Sequence, residues 1–349
     1  MPVLAWRRMV LSISAVLFLS VAVCSADQAS AGNVSESGLA RVDALIGQGK
    51  IDQALALLQE LAQKDAKTPG LESKFGKIYY EKRHWGEAVT HLELALKENP
   101  SDGEATQLLG LSYFMNGKLK DAIPLLEKVQ SLLPHPDATA SYLVGVACIQ
   151  TYQYDKARVA FAHMFSIPPE SSAAHLMLAK MMVRHDFNDQ AVPELKKAIE
   201  LDTKLPMAHF LLGELYLLGG KTELALDEFK MELDADPMMW LTYWRMGEAY
   251  TRLDKWDLAE DALKKAIWIN QNFTGPYVIM GKVQLKKGNP EVAAEFLERA
   301  VEMDPSNFEA HFQLGKVYKE LGRSEDFKRE FELSQKLRDV AKPKLESLR

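Results

Sequence analysis

A small residue recurs about every 34 positions along most of this chain. Gly76, Gly110, Gly145, Gly213, Gly247, Gly281 and Gly315 are separated by 34, 35, 68, 34, 34 and 34 residues, and Ala179 fills the one double interval. Twelve residues after all but the last comes a second small residue: Ala88, Ala122, Ala157, Ala191, Ala225, Ala259 and Ala293, with Ala54 in phase ahead of them. A slip of one residue turns a helical face by about 100°. Register kept over so much of a 349-residue chain therefore restricts it to a stack of near-identical units.

Each unit divides at a polar or glycine-containing turn, such as Asn116-Gly117-Lys118, Gly219-Gly220-Lys221 or Lys287-Gly288-Asn289, with helix-period apolar residues on both sides, so the unit is two helices. In the unit from Pro206, Phe210, Leu212, Gly213 and Tyr216 share the apolar sector of the first helix, and Leu224, Ala225 and Phe229 that of the second. Asn99-Pro100, Asp236-Pro237 and Asp304-Pro305 end units, because proline stops one helix and opens the next turn. The small pair is expected to let the two backbones approach, with the Tyr or Leu three residues after each glycine filling the space beside the contact. One hairpin cannot bury its faces alone, so neighbours stack on it.

Leu212-Gly213, Tyr216, Ala225, Phe229 and Pro237, and in another unit Leu109-Gly110, Tyr113, Ala122, Leu126 and Pro134, resemble the tetratricopeptide-repeat pattern. The resemblance implies an all-α fold, a right-handed superhelical solenoid of tandem antiparallel helix hairpins. Nine repeats starting near 35, 69, 103, 138, 172, 206, 240, 274 and 308 account for 35–339, with a short linker at 27–34 and a polar tail at 340–349. The ends depart from the pattern. Arg41-Val42 replaces Leu-Gly in the first unit and Phe327 replaces Ala in the last, which puts tight closure there in question. From Ser334 onward the chain is expected to be a polar, fraying cap broken at Pro343.

Arg7 and Arg8 precede an apolar run from Met9 to Val23 and then small residues, the layout of a secretory signal. Cleavage fits after Ala26 or after Ala31. A retained membrane anchor is the second reading, although fifteen residues are short for a span of roughly 20. A lipid on Cys24, with Val23 before it, is the third. Export would place the protein in the periplasm or envelope of a bacterium, or in the endoplasmic reticulum lumen or outside a eukaryotic cell. Two cysteines, Cys24 and Cys148, leave no disulfide framework once the first is gone. The formal charge of −6 becomes −8 without residues 1–26, and no basic block interrupts it, which argues against nucleic acid as a ligand.

No residue set points to catalysis or a cofactor. His135-Pro136-Asp137 resembles the signature of J-domain co-chaperones but sits in an inter-repeat turn. His175, His209 and His311 occupy one repeat position, too far apart to share a metal whose ligands lie about 2 Å away, and are read as packing residues. Cys148 falls where other units have Tyr113, Tyr216 or Tyr250 and is read as a small buried hydrophobe. Pro124 and Pro193 lie in the second turn of their helices, and Asn33-Val34-Ser35 and Asn272-Phe273-Thr274 are glycosylation sequons in a eukaryotic setting.

In the resembled family the first helix of each unit lines the inner face. Carried over residue by residue, that face holds Tyr80, Leu111, Phe114, Met115, Tyr142, Ile149, Leu176, Met207, Phe210, Leu217, Leu241, Trp244, Val278 and Leu285, with Lys77, Lys180, Glu214, Glu248, Arg252, Lys282 and Lys316 among them. No unit has the Asn that family members binding chaperone C-termini use. Apolar anchors of this kind suit an amphipathic helix or an extended apolar peptide. The expected function is an interaction scaffold or adaptor, or alternatively a holder of unfolded or transiting polypeptides; self-coverage of the stripe is the competing structural account.

Overall fold

The computed structural model describes residues 33–132 and 138–346. Among them are eighteen helices and no strand, and they belong to two compact units, one described over 33–202 and the other over 203–346. The first unit runs α1 (Asn33–Gly47), α2 (Ile51–Lys64), α3 (Leu71–Glu81), α4 (Trp85–Glu98), α5 (Gly103–Met115), α6 (Leu119–Leu132), α7 (Ala138–Gln150), α8 (Tyr154–Phe165), α9 (Ser172–Arg184) and α10 (Asn188–Leu201). The second runs α11 (Ala208–Leu218), α12 (Thr222–Ala235), α13 (Trp240–Arg252), α14 (Trp256–Ile269), α15 (Thr274–Lys286), α16 (Pro290–Met303), α17 (Phe308–Glu320) and α18 (Ser324–Glu346). Each odd-numbered helix pairs with the next, giving the nine hairpins that the repeat demands.

The hairpin turns share one backbone device. The last turn of each first helix hands over to a residue in the left-handed region: Gly49, Gly117, Gly220, Gly288 and Gly322, but also Arg83, Tyr152, Asp186 and Asp254. Glycine takes this conformation freely, whereas L side chains meet the next carbonyl there. Asp102, Ser171 and Asn307 then cap first helices, accepting from the backbone N–H of Ala105, Ala174 and Ala310.

The small residues work differently from the expectation. Ala88, Ala122, Ala157, Ala191, Ala225, Ala259 and Ala293 are all fully buried, as a close helix crossing requires. At the glycines, however, what an added Cβ would strike is the bulky residue sixteen positions on, not the Tyr or Leu three positions on. The contacts would be 2.4 Å from Leu92 at Gly76, 2.5 Å from Phe161 at Gly145, 2.5 Å from Phe229 at Gly213, 2.6 Å from Leu263 at Gly247 and 2.4 Å from Leu297 at Gly281. Glycine here makes room for a large side chain of the second helix, which then fills the hairpin interior.

The ends differ from the central hairpins. Val42 and Leu58 close the first hairpin and are fully buried; α1 already begins at Asn33, inside the expected linker. At Gly315 the nearest atoms to an added Cβ are backbone atoms of α18, the Phe327 carbonyl oxygen and the Phe331 nitrogen, both 3.6 Å away, so the last hairpin closes as tightly as the others, without a large side chain set against the glycine, and the expectation of loose closure at Phe327 is corrected. Two further expectations are corrected. Ser334 is fully buried, donating its hydroxyl to the Phe308 carbonyl at 2.9 Å, and α18 continues through Pro343 to Glu346, since a single proline removes only one backbone hydrogen bond near a helix end. Leu224, assigned to the apolar sector, is exposed.

Candidate functional site

The positions expected to line an inner face fall on or beside the first helices, and the structure sorts them by depth. Phe114, Ile149, Leu176, Phe210, Leu217 and Val278 are buried. Tyr80, Leu111, Met115, Tyr142, Met207, Leu241, Trp244 and Leu285 are half-buried. Phe210 and Leu217 pack with Phe229 and Met246 in one core cluster, and Val278 with Leu297 and Leu314 in another, so they offer a partner little surface. The half-buried side chains present apolar edges on α3, α5 and α7 in the first unit and on α13 and α15 in the second, together with Met207 just ahead of α11.

In the second unit this face is aromatic. The Trp244 ring meets Phe273 edge-on at 4.9 Å, Trp240 lies 4.9 Å from the same ring, and the Arg245 guanidinium stacks over Trp244 at 4.3 Å. An added Cβ at Gly275 would stand 2.6 Å from Phe273 and 2.9 Å from Trp244, so that glycine is what lets the indole settle. Phe273 was not anticipated as part of the face. Its position in the turn before α15 gives it no helical periodicity to be read from.

The charges nearby are largely spent on one another. Arg245 bonds Glu214 at 2.7 Å and Glu248 at 2.8 Å, and Arg252 bonds Glu248 at 2.7 Å and the Leu217 carbonyl at 2.7 Å. Burial pushes the Glu214 carboxyl up from the usual range against the pull of Arg245. Lys282 pairs with Glu309 at 2.7 Å, Lys77 with Glu104 at 2.6 Å, and Lys316 lies 4.5 Å from the Phe312 ring centre. What these positions leave exposed is therefore apolar more than charged.

The three histidines pack, but each does so through a hydrogen bond to a glutamate within its own hairpin. His175, His209 and His311 reach Glu194, Glu228 and Glu330 at 2.7, 2.7 and 2.6 Å, each pair 19 residues apart. A fourth pair runs in the opposite order, Glu72 with His91 at 2.6 Å. Among the described residues no group of three His, Cys, Asp or Glu is placed to hold a metal, and no helix is long and apolar enough to cross a membrane. Cys148 is fully buried, and burial, with Glu127 adding to it, pushes its thiol up to about 11, far from a reactive thiolate. His135-Pro136-Asp137, Pro134 and the residues of the signal segment lie outside the described residues.

One anchoring group escaped the sequence reading. Glu232, 2 % exposed, lies on α12 and accepts the backbone N–H of Met207 at 2.7 Å and of Phe210 at 2.9 Å. A carboxylate there satisfies two of the free N–H groups at the start of α11 and meets the positive end of its dipole. It also fixes the backbone at Met207, at φ 73°.

Profiles of the tetratricopeptide repeat match residues 45–111, 176–239, 281–322 and 308–339, and the profile described as anaphase-promoting complex, cyclosome, subunit 3 matches 81–164. The chain is 28 % identical over 181 residues to superkiller complex protein 3 of Homo sapiens, covering 48 % of this chain and 11 % of that protein. It is 26 % identical over 173 residues to tetratricopeptide repeat protein 37 of Xenopus laevis, covering 47 % and 11 %. The chain thus spans about a tenth of the length of these relatives. Among solved structures, YrrB, described as a TPR protein with an unusual peptide-binding site, matches at 20 % identity and a TM-score of 0.44, covering 52 % of this chain and 93 % of that one.

Proposed function

Since the chain belongs to the tetratricopeptide-repeat family, we propose that it is an exported interaction scaffold that takes an apolar or amphipathic segment of a partner protein on the inner face of its first helices. The observation that carries this reading is the set of half-buried apolar side chains that each unit carries on its first helices, Leu111, Met115 and Tyr142 in the first and, separately, Leu241, Trp244 and Leu285 in the second. A fold held together by Leu92, Phe161, Phe229 and their equivalents in the hairpin interiors has no need of large side chains left at the surface, and apolar edges paired with few free charges favour an apolar ligand. Arg7, Arg8 and the run Met9–Val23 support export to the periplasm or envelope, or to a eukaryotic secretory compartment; the mass of the mature protein distinguishes cleavage from a lipid on Cys24.

The test is a photocrosslinking residue at Leu241 in the native host, with captured proteins identified by mass spectrometry. One or a few stoichiometric partners support the scaffold. A broad smear of clients supports the holder instead. Trp244→Glu supplies the control: lost thermal stability with capture intact sinks the binding role of this face.

A further inference from the structure

The second helices of three consecutive hairpins in the 203–346 unit carry a triplet that no other described hairpin has. Their third residues, Leu224, Leu258 and Val292, are 51, 47 and 39 % exposed. Their second and sixth residues are acidic and exposed: Glu223 and Asp227, Asp257 and Asp261, Glu291 and Glu295. The fold does not require this. The five earlier second helices have Gln53, Glu87, Asp121, Lys156 and Gln190 at the third residue, and Ala56, Thr90, Pro124, Val159 and Pro193 at the sixth. An acid in the first turn answers the helix dipole, and Asp52, Asp155 and Asp189 follow the same preference. The acid one turn later has no such cause, nor has an exposed aliphatic at a site where Gln or Asp serves elsewhere.

We propose that this outer face docks a basic amphipathic helix that lays an apolar stripe along the row, flanked by Lys or Arg. The arrangement follows from the repeat: the three side chains hold one position on successive second helices, so a bound helix lying across them meets one per hairpin. The charge follows from what is uncommitted. Asp227 is paired with Lys230 at 3.0 Å and Asp257 with Lys287 at 2.6 Å, while among the described residues Glu223, Asp261, Glu291 and Glu295 have no ion-pair partner. The apolar row supplies contact area and the two acidic rows fix the orientation of a cationic partner.

The test uses the full chain and a fluorescein-labelled Lys/Leu helix with its leucines along one face, followed by fluorescence anisotropy at low and high salt. The triple variant Leu224→Gln, Leu258→Gln, Val292→Gln places a residue native to two other hairpins and is expected to keep its thermal stability while binding at least about tenfold more weakly. Asp261→Asn with Glu295→Gln is expected to flatten the salt dependence. Unchanged affinity of the triple variant means attraction to net charge alone and overturns the proposal. So does absence of binding, and so does self-association that the triple variant abolishes, which would make the row a contact between copies of this chain.

Discussion

Replacing Gly213 by alanine should destabilise the protein, whereas the same change at Gly315 should not. The two sites are equivalent in the repeat and both are helical, so alanine gains about 1 kcal/mol of helix propensity at each. They differ in what the new methyl meets. At Gly213 it would stand 2.5 and 2.7 Å from two atoms of the Phe229 ring, about 1 Å inside normal carbon contact. Phe229 is fully buried among Phe210, Leu226 and Met246, and a flat ring cannot fold aside as an aliphatic end can. Overpacking of this kind costs about 1–3 kcal/mol, which leaves a net loss of about 1 kcal/mol. At Gly315 nothing lies nearer than 3.6 Å, so the propensity gain stands and the two variants should differ by about 2 kcal/mol.

Gly247→Ala, which faces Leu263, should fall between them. Ala179 shows why: it occupies the same repeat position, with Leu195 sixteen residues on, and both are fully buried, so one hairpin already accommodates a methyl opposite a leucine. The assay is urea unfolding followed by circular dichroism. Phe229→Leu in the Gly213→Ala background serves as the cycle that isolates the contact. Gly213→Ala as stable as the parent, or equal losses at Gly213 and Gly315, would refute the account of what the glycines are for.

Four other outcomes are expected. Glu232→Gln should lower the melting temperature by the equivalent of about 2 kcal/mol, because it turns an amide N–H toward a backbone donor and removes a charge-assisted bond. Tyr152→Gly should raise stability by up to about 1 kcal/mol, since Tyr152 sits at φ 62° with its ring mostly exposed. His185 is held at about 4, first by burial and then by Arg184, below the roughly 6.5 of an unfolded histidine. The unfolded chain therefore takes up a proton that the folded one refuses, and stability should fall as the pH drops from about 6.5 to about 4, a slope that His185→Gln should reduce in pH-dependent unfolding. His175→Glu should destabilise by setting two carboxylates together, and Glu194→His should restore stability in the double variant, because Glu72 and His91 already make the same contact in reverse; calorimetry of the two single variants and the double measures the coupling.

The hairpins were legible because the small residues announce them, and the depth of the inner face was not, because burial depends on how far neighbouring helices close over a side chain. Phe210 and Trp244 occupy equivalent positions, yet one is buried and the other half-buried. The histidines show a different kind of miss. Compared along the chain they lie one and three repeats apart and suggest nothing, but the repeats form their own alignment. Read in columns, the residue that holds His175 and its partner 19 residues on vary together: Glu72 with His91, His209 with Glu228, Tyr277 with Phe296, His311 with Glu330. Glu232 stands out in its column against Ala95, Ala198, Ala266 and Ala300, but its partners are backbone groups, which no side-chain comparison reveals. The same column logic separates structure from function on the outer face. A position that six hairpins fill with Gln, Glu, Asp or Lys and three successive ones fill with exposed Leu or Val is free of any demand from the fold, so the three aliphatics there answer to something outside it.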